Sequence, residues 1–270
     1  MPLAYYSRAS TKEFWEEHWR GHSVEALIRE AETSPLTALI LGALPPRGTR
    51  VLEAGCGLGQ YVVLLRRLGY PAAGTDWGLD ALWACRKVVP ATPLTVMDLR
   101  RLGFRSDSFG AYLSLGVVEH DPEGPDGILR EARRVLEPGG VLLLSVPYVN
   151  VVRRLGAWWI RSRNRRLREA GGQFYQFAFS LGEGRTFIER NGFRVLRATP
   201  YNPGRLLQRA WRRAGRLLRN AGGSTISDGP AGGAPVAARS GVRNAVRGVL
   251  YTRPGLHAFG HMILFVAVKR

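Results

Sequence analysis

Three glycines mark the segment with the clearest chemistry, residues 51–60, which read VLEAGCGLGQ. Gly55, Gly57 and Gly59 lie where an apolar strand is predicted to turn into a helix, and glycines at such a turn let the backbone approach a ligand closely. A dinucleotide-binding loop would have glycine at position 60, where this chain has Gln60. The loop therefore predicts a ligand-binding turn of a different kind.

Acidic residues at the ends of three predicted strands narrow the choice of ligand. A carboxylate at Glu53 would repel a pyrophosphate but suits a ligand that carries an ammonium group. Asp76 ends the next strand, 21 residues after Gly55, where it can accept hydrogen bonds from both hydroxyls of a ribose. Asp98 ends the third strand and can accept from the exocyclic amine of adenine. Together these residues predict an adenosine with a cationic tail.

Five segments in this order resemble the class I S-adenosylmethionine-dependent methyltransferases, in the broad group of quinone-biosynthesis-type and other small-molecule enzymes. They are residues 51–60, 74–82 (GTDWGLDAL), 97–99 (MDL), 109–120 (FGAYLSLGVVEH) and 128–147 (ILREARRVLEPGGVLLLSVP). The resemblance is close over residues 45–147 and looser over residues 173–200 and 259–268. The ordered set is more specific than the glycine loop alone.

The resemblance implies S-adenosylmethionine as the cofactor and assigns its parts to positions in this chain. The methionine part would lie on the glycine loop, the ribose on Asp76 and the adenine against Trp77, Asp98 and Leu99. Leu115 and Gly116 would lie beside the methyl donor. The cofactor-binding residues predicted in this way are Glu53, Ala54, Gly55, Gly57, Gly59, Asp76, Trp77, Asp98, Leu99, Leu115 and Gly116.

The pattern of elements predicts an α/β fold. Apolar strands that do not alternate in polarity, separated by helices, indicate a parallel sheet covered on both faces. The resemblance implies a Rossmann-like sheet of about seven strands whose last strand, residues 261–268, is antiparallel. We expect an N-terminal helical extension or lid over residues 1–44 and a methyltransferase domain over 45–200 and 259–270. Residues 201–258 are expected to be a basic, partly disordered insertion before the last strand.

His120 is the candidate catalytic residue, because it follows the fourth strand near the expected methyl donor. Imidazole has an ordinary pKa of about 6.5, so His120 could take a proton from an attacking hydroxyl or amine. The alternative is a loop residue that only forms hydrogen bonds, and Glu119 is the weaker candidate base. His18 and His22 are spaced like a metal-binding pair on a helix, but no third ligand lies nearby, so no metal site is predicted.

The first predicted helix, residues 12–32, carries two tryptophans, Trp15 and Trp19. With Tyr5 and Tyr6 they could form a lid over the cofactor. Simple docking of this helix on the sheet is the alternative.

Charge divides the chain of 270 residues into two parts. Residues 1–150 have 16 Lys and Arg against 17 Asp and Glu, whereas residues 151–270 have 23 against 4, and nearly all of this positive charge is arginine. Such asymmetry predicts a local anionic partner for the C-terminal part. Two cysteines and the absence of a basic-then-apolar leader in the sequence favour a reducing, cytoplasmic location.

Two basic segments, residues 151–169 and 204–220, are predicted to form helices with Trp and Leu among arginines. This pattern is typical of helices that lie on an anionic membrane surface. It also fits helices that pack their apolar face on the domain and leave their arginines in water. Binding to nucleic acid is the weakest of these three alternatives, because no RNA-binding module is recognisable.

These observations predict a methyltransferase that transfers the methyl group of S-adenosylmethionine to a small-molecule or lipid-like acceptor. Its expected location is the cytoplasm, with peripheral attachment to the inner face of the membrane. The alternatives are an RNA methyltransferase and a non-catalytic protein that binds S-adenosylmethionine or a membrane.

Overall fold

The computed structural model of the protein describes residues 2–204 and 248–270. Seven strands form the main sheet in the order β4-β3-β2-β5-β6-β9-β8, and two more, β1 and β7, form a separate ribbon. The strands are β1 (Leu3–Ser7), β2 (Val51–Ala54), β3 (Ala72–Asp76), β4 (Leu94–Val96), β5 (Phe109–Leu115), β6 (Leu136–Pro147), β7 (Gln173–Ala178), β8 (Phe193–Tyr201) and β9 (Met262–Lys269).

Helices cover both faces of the main sheet. They are α1 (Lys12–Arg20), α2 (Val24–Thr33), α3 (Pro35–Leu41), α4 (Gln60–Arg67), α5 (Leu79–Val88), α6 (Asp126–Val135), α7 (Val151–Leu155), α8 (Ala157–Glu169), α9 (Leu181–Arg190) and α10 (Arg253–Phe259). A single 3₁₀ turn, Val118–His120, follows β5.

The predicted α/β class and the antiparallel last strand are both confirmed. Strands β2 to β6 run parallel to one another, whereas β9 is antiparallel to both β6 and β8. Most residues of β2, β3, β5 and β6 are buried, which is why the sequences of these strands do not alternate in polarity. Leu115 pairs with Ser145, so the ends of β5 and β6 lie side by side.

The ribbon of β1 and β7 was not predicted. Leu3 pairs with Ala178 and Ser7 with Gln173, so the N-terminus is tied to a segment about 170 residues later in the chain. A strand pairing between such distant segments cannot be predicted from the local sequence of either one. The N-terminal extension therefore contains a strand as well as helices.

Two predicted helices are each broken in two. The helix expected over residues 12–32 ends at Arg20, because the Ser23 side chain accepts from the Ala26 N–H and caps a new helix. The helix expected over 151–169 is interrupted at Gly156, which ends α7 and precedes α8. The basic helix predicted over 204–220 and most of the expected insertion, 201–258, lie outside the described residues.

Candidate functional site

The glycine loop follows β2 and is shaped by backbone conformations that require glycine. Gly55 has φ +80°, and a Cβ there would lie 2.5 Å from Val117 Cγ2. The Gly55 and Cys56 N–H groups both donate to the Thr75 carbonyl, at 2.7 and 3.0 Å, which draws the loop against the end of β3. The loop is therefore a close-packed turn in which a side chain at position 55 would collide with its neighbour.

Asp76, the last residue of β3, fastens this loop. One carboxylate oxygen, Oδ2, accepts from the Gly57 N–H at 2.9 Å, and the other, Oδ1, accepts from the Gly78 N–H at 2.9 Å. Burial raises the pKa of Asp76, although these N–H groups oppose the rise. Each oxygen retains further acceptor capacity, so Asp76 can still receive hydroxyl hydrogens from a ligand.

Glu53 lies in β2, just before the glycine loop, and is 2% exposed. Its Oε2 accepts from the Val62 N–H of α4 at 3.1 Å. Burial raises the pKa of Glu53 to about 8; the Val62 N–H opposes this rise, and the nearby charge of Asp76 adds to it. Among the described residues, no basic side chain pairs with Glu53 or Asp76. A buried acidic pair of this kind is chemically suited to a cationic ligand.

Both acids line a cavity of about 540 Å³ at the carboxyl ends of the parallel strands. This is the edge at which open α/β sheets bind ligands. The predicted site residues that line the cavity are Glu53, Gly55, Asp76, Trp77, Asp98, Leu99, Leu115, Gly116 and His120. The sheet therefore brings together most of the residues that the sequence pattern singled out.

Three predicted cofactor-binding residues do not line the cavity. Ala54 is buried in the core. Gly57 donates to Asp76, and its Cα faces Trp19, because a Cβ there would lie 2.5 Å from the indole. Gly59 precedes α4 with φ +69° and faces Cys85. These residues shape the loop from behind, and their assignment to the cofactor stays a prediction.

The cavity wall at the ends of β3 and β4 combines an exposed indole, an acid and an arginine. Asp98 accepts from the Arg100 backbone N–H at 2.9 Å and forms an ion pair with its guanidinium. Burial opposes ionisation, but the hydrogen bonds and charge of Arg100 lower the pKa of Asp98. Trp77 is 40% exposed, which leaves its ring available to stack on a flat ligand.

Aromatic side chains form the other half of the cavity, and most of them were not predicted to be site residues. Trp15 packs edge-to-face on His120 with ring centroids 4.9 Å apart. The remaining aromatic lining comes from Trp19, Tyr61, Phe174 and Tyr201. Trp15 and Trp19 were recognised as candidates for a lid, whereas Phe174 and Tyr201 lie on strands far away in sequence. This half of the cavity offers a largely apolar surface.

His120 is held in one tautomer by the ribbon. Its Nδ1 lies 2.8 Å from the Tyr175 carbonyl oxygen, which can only accept, so Nδ1 carries the hydrogen. The neutral ring then has its acceptor at Nε2. Burial lowers the pKa of His120 to about 4, although the Tyr175 carbonyl opposes this shift. The expectation that His120 titrates near the ordinary imidazole pKa is therefore wrong, because the ring is shielded from water and has no carboxylate partner among the described residues.

Tyr201 places a hydroxyl at the cavity near the end of β5. Its oxygen lies 2.6 Å from Ser145 Oγ, and the Ser145 carbonyl accepts from the Gly116 N–H at 2.9 Å. This short chain of contacts joins Tyr201 to the residues predicted to lie beside the methyl donor. No sequence signal marked Tyr201, because only the pairing of β8 with β9, and of β9 with β6, brings it to this edge.

Two other titratable side chains near the site, those of Glu119 and Cys56, have pKa values that burial raises. Glu119 is 2% exposed and does not line the cavity, and burial raises its pKa to about 8. Burial also raises the pKa of the Cys56 thiol, which disfavours a reactive thiolate. Within residues 2–204 and 248–270, no three His, Cys, Asp or Glu side chains form a group that could hold a metal ion.

The residues present fit S-adenosylmethionine. Gly55 lines the cavity and can pass against Val117 only because it lacks a Cβ, and the buried Gln60 Oε1 in the cavity wall has no hydrogen-bond partner among the described residues. An unpaired amide oxygen and two buried acids match a ligand with an ammonium group and ribose hydroxyls. The exposed face of Trp77 matches a flat base.

Comparison with known proteins agrees with this geometry. Residues 52–144 match the family model described as a methyltransferase domain. The chain is 27% identical over 168 residues to the ubiquinone biosynthesis O-methyltransferase of Cereibacter sphaeroides, which covers 56% of this chain and 67% of that protein. It is 31% identical over 121 residues to the malonyl-[acyl-carrier protein] O-methyltransferase of Erwinia pyrifoliae, covering 45% of this chain and 46% of that protein. The matches thus span about half to two thirds of these relatives.

Solved structures share the fold at low identity. The S-adenosylmethionine-dependent methyltransferase from Mesorhizobium loti superposes with a TM-score of 0.56 at 15% identity, covering 88% of this chain and 99% of that one. The [4+2]-cyclase SpnF superposes with a TM-score of 0.58 at 17% identity, covering 97% of each chain. These similarities establish the fold alone, so the reaction has to be inferred from the residues of the site.

Proposed function

The chain carries a methyltransferase domain of the class I S-adenosylmethionine-dependent family, and on that premise we propose that it methylates a small, largely apolar acceptor. One observation carries the proposal. A single cavity joins two buried carboxyls at a glycine loop to a wall of aromatic side chains. The acidic half suits the cationic cofactor, and the aromatic half suits an apolar acceptor.

Residues of the acidic half are proposed to bind S-adenosylmethionine. Glu53 and the backbone at Gly55 would hold the methionine end, and Asp76 the ribose hydroxyls. Trp77 would stack on the adenine, and Asp98 and Leu99 would contact its edge. When bound, this cofactor supplies a methyl group on a positively charged sulfur that leaves as a neutral thioether.

The acceptor half is proposed to position the nucleophile and exclude water. Trp15, Phe174 and Tyr201 would hold the acceptor against the ends of β5 and β6. Positioning of this kind supplies much of the rate enhancement in a displacement between two bound molecules. Where the nucleophile is a hydroxyl, His120 would take its proton at Nε2, the ring nitrogen that accepts.

The N-terminal residues 1–44 are proposed to act as a lid. Trp19 lies against Gly57, and Ser10 donates to the Tyr175 carbonyl at 3.1 Å, so the segment crosses from the cofactor loop to the ribbon. A lid in this position would have to open for cofactor exchange and would shield the reaction from water when closed.

We further propose that the acceptor is lipid-like and that the protein is cytoplasmic and binds peripherally to the membrane. The aromatic lining of the cavity and the arginine-rich C-terminal part support this finer assignment. Among the described helices, none has the length and apolar character needed to cross a membrane. Any attachment through these helices would therefore be to the surface.

Binding of the cofactor tests the proposal. Isothermal titration calorimetry of the full chain should show S-adenosylmethionine binding that Asp76→Asn weakens about ten-fold or more, because the amide accepts fewer hydroxyl hydrogen bonds. Asp80→Asn is the control, since Asp80 is an exposed residue that forms an ion pair with Arg20 and does not line the cavity. Equal affinity of Asp76→Asn and wild type would refute the ribose assignment, and tight binding of NAD instead would refute the cofactor.

Transfer of a labelled methyl group tests the acceptor class. With cofactor labelled on the methyl, label should enter organic-extractable small molecules from a cell extract. Label in RNA would favour the alternative of an RNA methyltransferase. Cofactor binding without label transfer to any fraction would favour a non-methylating protein, a role consistent with the fold shared with the cyclase.

A further inference from the structure

An exposed apolar corner lies where α7 meets α8. Leu155 is 82% exposed, Trp158 79% and Trp159 59%, and the preceding Val151 and Val152 are also exposed. Two adjacent tryptophans at this exposure are unusual on a protein surface, because aromatic side chains gain free energy when they leave water. The corner formed by these five residues is called the tryptophan corner below.

Arginines surround the tryptophan corner. Residues 151–169 contain seven arginines and one acid, Glu169. Within the described parts of the chain, none of the five arginines of α8 forms an ion pair with an acid. Arg163 lies over the Trp159 ring, with its guanidinium carbon 5.9 Å from the ring centroid. The surface thus presents tryptophan and uncompensated positive charge together.

The opposite face of α8 is already occupied. Asn164 is buried, Ile160 and Leu167 are partly buried, and the helix packs on strand β1. The tryptophans therefore cannot also be the side by which α8 is attached to the domain. Trp158 and Trp159 therefore do not pack inward on the domain, which was the alternative interpretation of this segment.

We propose that the tryptophan corner and the arginines of α8 dock on an anionic phospholipid bilayer. This inference rests on the membrane location proposed above and assigns it to named residues. Tryptophan favours the boundary between headgroups and acyl chains, and arginines near it would pair with lipid phosphates. A second copy of this chain is a poor occupant, because a symmetric contact would bring seven arginines against seven. Nucleic acid would use the arginines but leave the aliphatic residues Leu155, Val151 and Val152 without a partner.

The docking face shares a support with the acceptor half of the cavity. Strand β1, on which α8 packs, pairs with β7, and β7 carries Phe174 in the cavity wall and the Tyr175 carbonyl that holds His120. A bilayer bound at the tryptophan corner would therefore be separated from the ribbon that walls the acceptor site by α8 alone. An acceptor dissolved in lipid would then have a short path to the enzyme.

Vesicle flotation with the full chain tests the docking face. Wild type should float with vesicles of phosphatidylcholine and phosphatidylglycerol in 0.15 M salt and should be released in 1 M salt, because salt screens the arginines. Trp158→Ala with Trp159→Ala should lower the partition coefficient about ten-fold or more. Trp83→Ala is the matched control, since Trp83 is 55% exposed on α5, away from the arginine cluster, and should float like wild type.

Charge reversal gives a second, independent measurement. Each positive charge lost near the leaflet should weaken binding about five-fold. Arg165→Glu with Arg166→Glu should therefore lower the affinity for anionic vesicles more than ten-fold. Arg29→Glu with Arg47→Glu changes the net charge equally on other exposed residues and should bind nearly as wild type does. Equal losses in both pairs would show that only net charge matters and would overturn the assigned face.

Other outcomes separate this inference from the proposed function. Undiminished flotation of the tryptophan and arginine variants would overturn the docking face while cofactor binding by calorimetry still supported the methyltransferase. A concentration-dependent dimer that the tryptophan variant loses, or RNA binding that displaces vesicles, would also overturn it. Absence of cofactor binding in wild type would refute the proposed function whatever the vesicles show.

Discussion

At the scale of single residues, His120 shows how burial and one hydrogen bond set the chemistry available to a side chain. The Tyr175 carbonyl fixes the hydrogen on Nδ1, and the shielded ring has a pKa lowered to about 4. The basic form is therefore present throughout the neutral range, but its driving force for accepting a proton is smaller than that of an ordinary imidazole. Such a base suits an acceptor hydroxyl that is already acidic.

The His120→Asn variant tests this role, because the Asn amide can still donate to the Tyr175 carbonyl while Nε2 is lost. We expect turnover to fall about 10²-fold or more with cofactor affinity nearly unchanged. Because the neutral ring is the active form, the wild-type rate should rise with pH through about 4 and then level off. The variant should lack this acid limb in a pH–rate profile. Full turnover by the variant on its acceptor would contradict the base role.

At the scale of elements, the turn between β2 and α4 depends on glycine for two separable reasons. Gly55 in this turn and Gly48 in the loop before β2 both have positive φ, +80° and +92°, which disfavours any residue with a Cβ. At Gly55 a Cβ would also lie 2.5 Å from Val117, whereas at Gly48 nothing lies within 4 Å of it. The two positions therefore separate backbone strain from close packing at the site.

Alanine at these two positions should have different consequences. Gly48→Ala should cost about 1 kcal/mol of folding free energy, from backbone strain alone, and leave cofactor affinity unchanged. Gly55→Ala should cost about 1–3 kcal/mol more, because Val117 must move, and should abolish tight cofactor binding. Thermal unfolding and calorimetry measure the two effects. Equal stability losses would show that the contact with Val117 is easily relieved.

The interruption of the helix at Gly156 also matters at this scale. It creates the corner at which Leu155 and Trp158 project into solvent. In an uninterrupted helix over residues 151–169, these side chains would lie along one straight helix and not at an exposed turn. The proposed docking face is thus a product of the break between α7 and α8.

At the scale of the whole molecule, buried acids couple stability to pH. Glu119 is fully enclosed, its Oε2 lacks a hydrogen-bond partner among the described residues, and burial raises its pKa to about 8. In the unfolded chain a glutamate has a pKa of about 4.3. The unfolded state therefore loses this proton at lower pH than the native state, and stability should decline as pH rises from about 4.3 towards 8.

Glu119→Gln should remove the part of this decline that Glu119 contributes, because the amide has the same shape and no proton to lose, while buried Glu53 and Asp76 keep their own part in both proteins. We expect wild type and variant to unfold at similar temperatures at pH 4.5 and the variant to unfold several degrees higher at pH 8.5, a difference of a few kcal/mol. Scanning calorimetry across this range measures it, with Glu123→Gln as an exposed control. Parallel pH profiles for wild type and Glu119→Gln would contradict the assignment.

The sequence by itself determined the fold class, the glycine loop and the acidic residues at the strand ends. Each of these has a local signature. Buried parallel strands read as uninterrupted apolar runs, a turn with positive φ reads as glycine, and residues that follow parallel strands must meet at one edge of the sheet. For this reason Glu53, Asp76 and Asp98 could be assigned to one cavity before any coordinates were known.

Only the tertiary structure decided the acceptor half of the site and the exposed corner. Phe174 and Tyr201 reach the cavity through pairings between strands far apart in sequence, and the pKa of His120 is lowered by burial. Likewise, the amphipathic pattern of residues 151–169 could not reveal which side of α8 packs on β1. Burial and long-range pairing depend on which distant segments meet, and no short stretch of sequence contains that information.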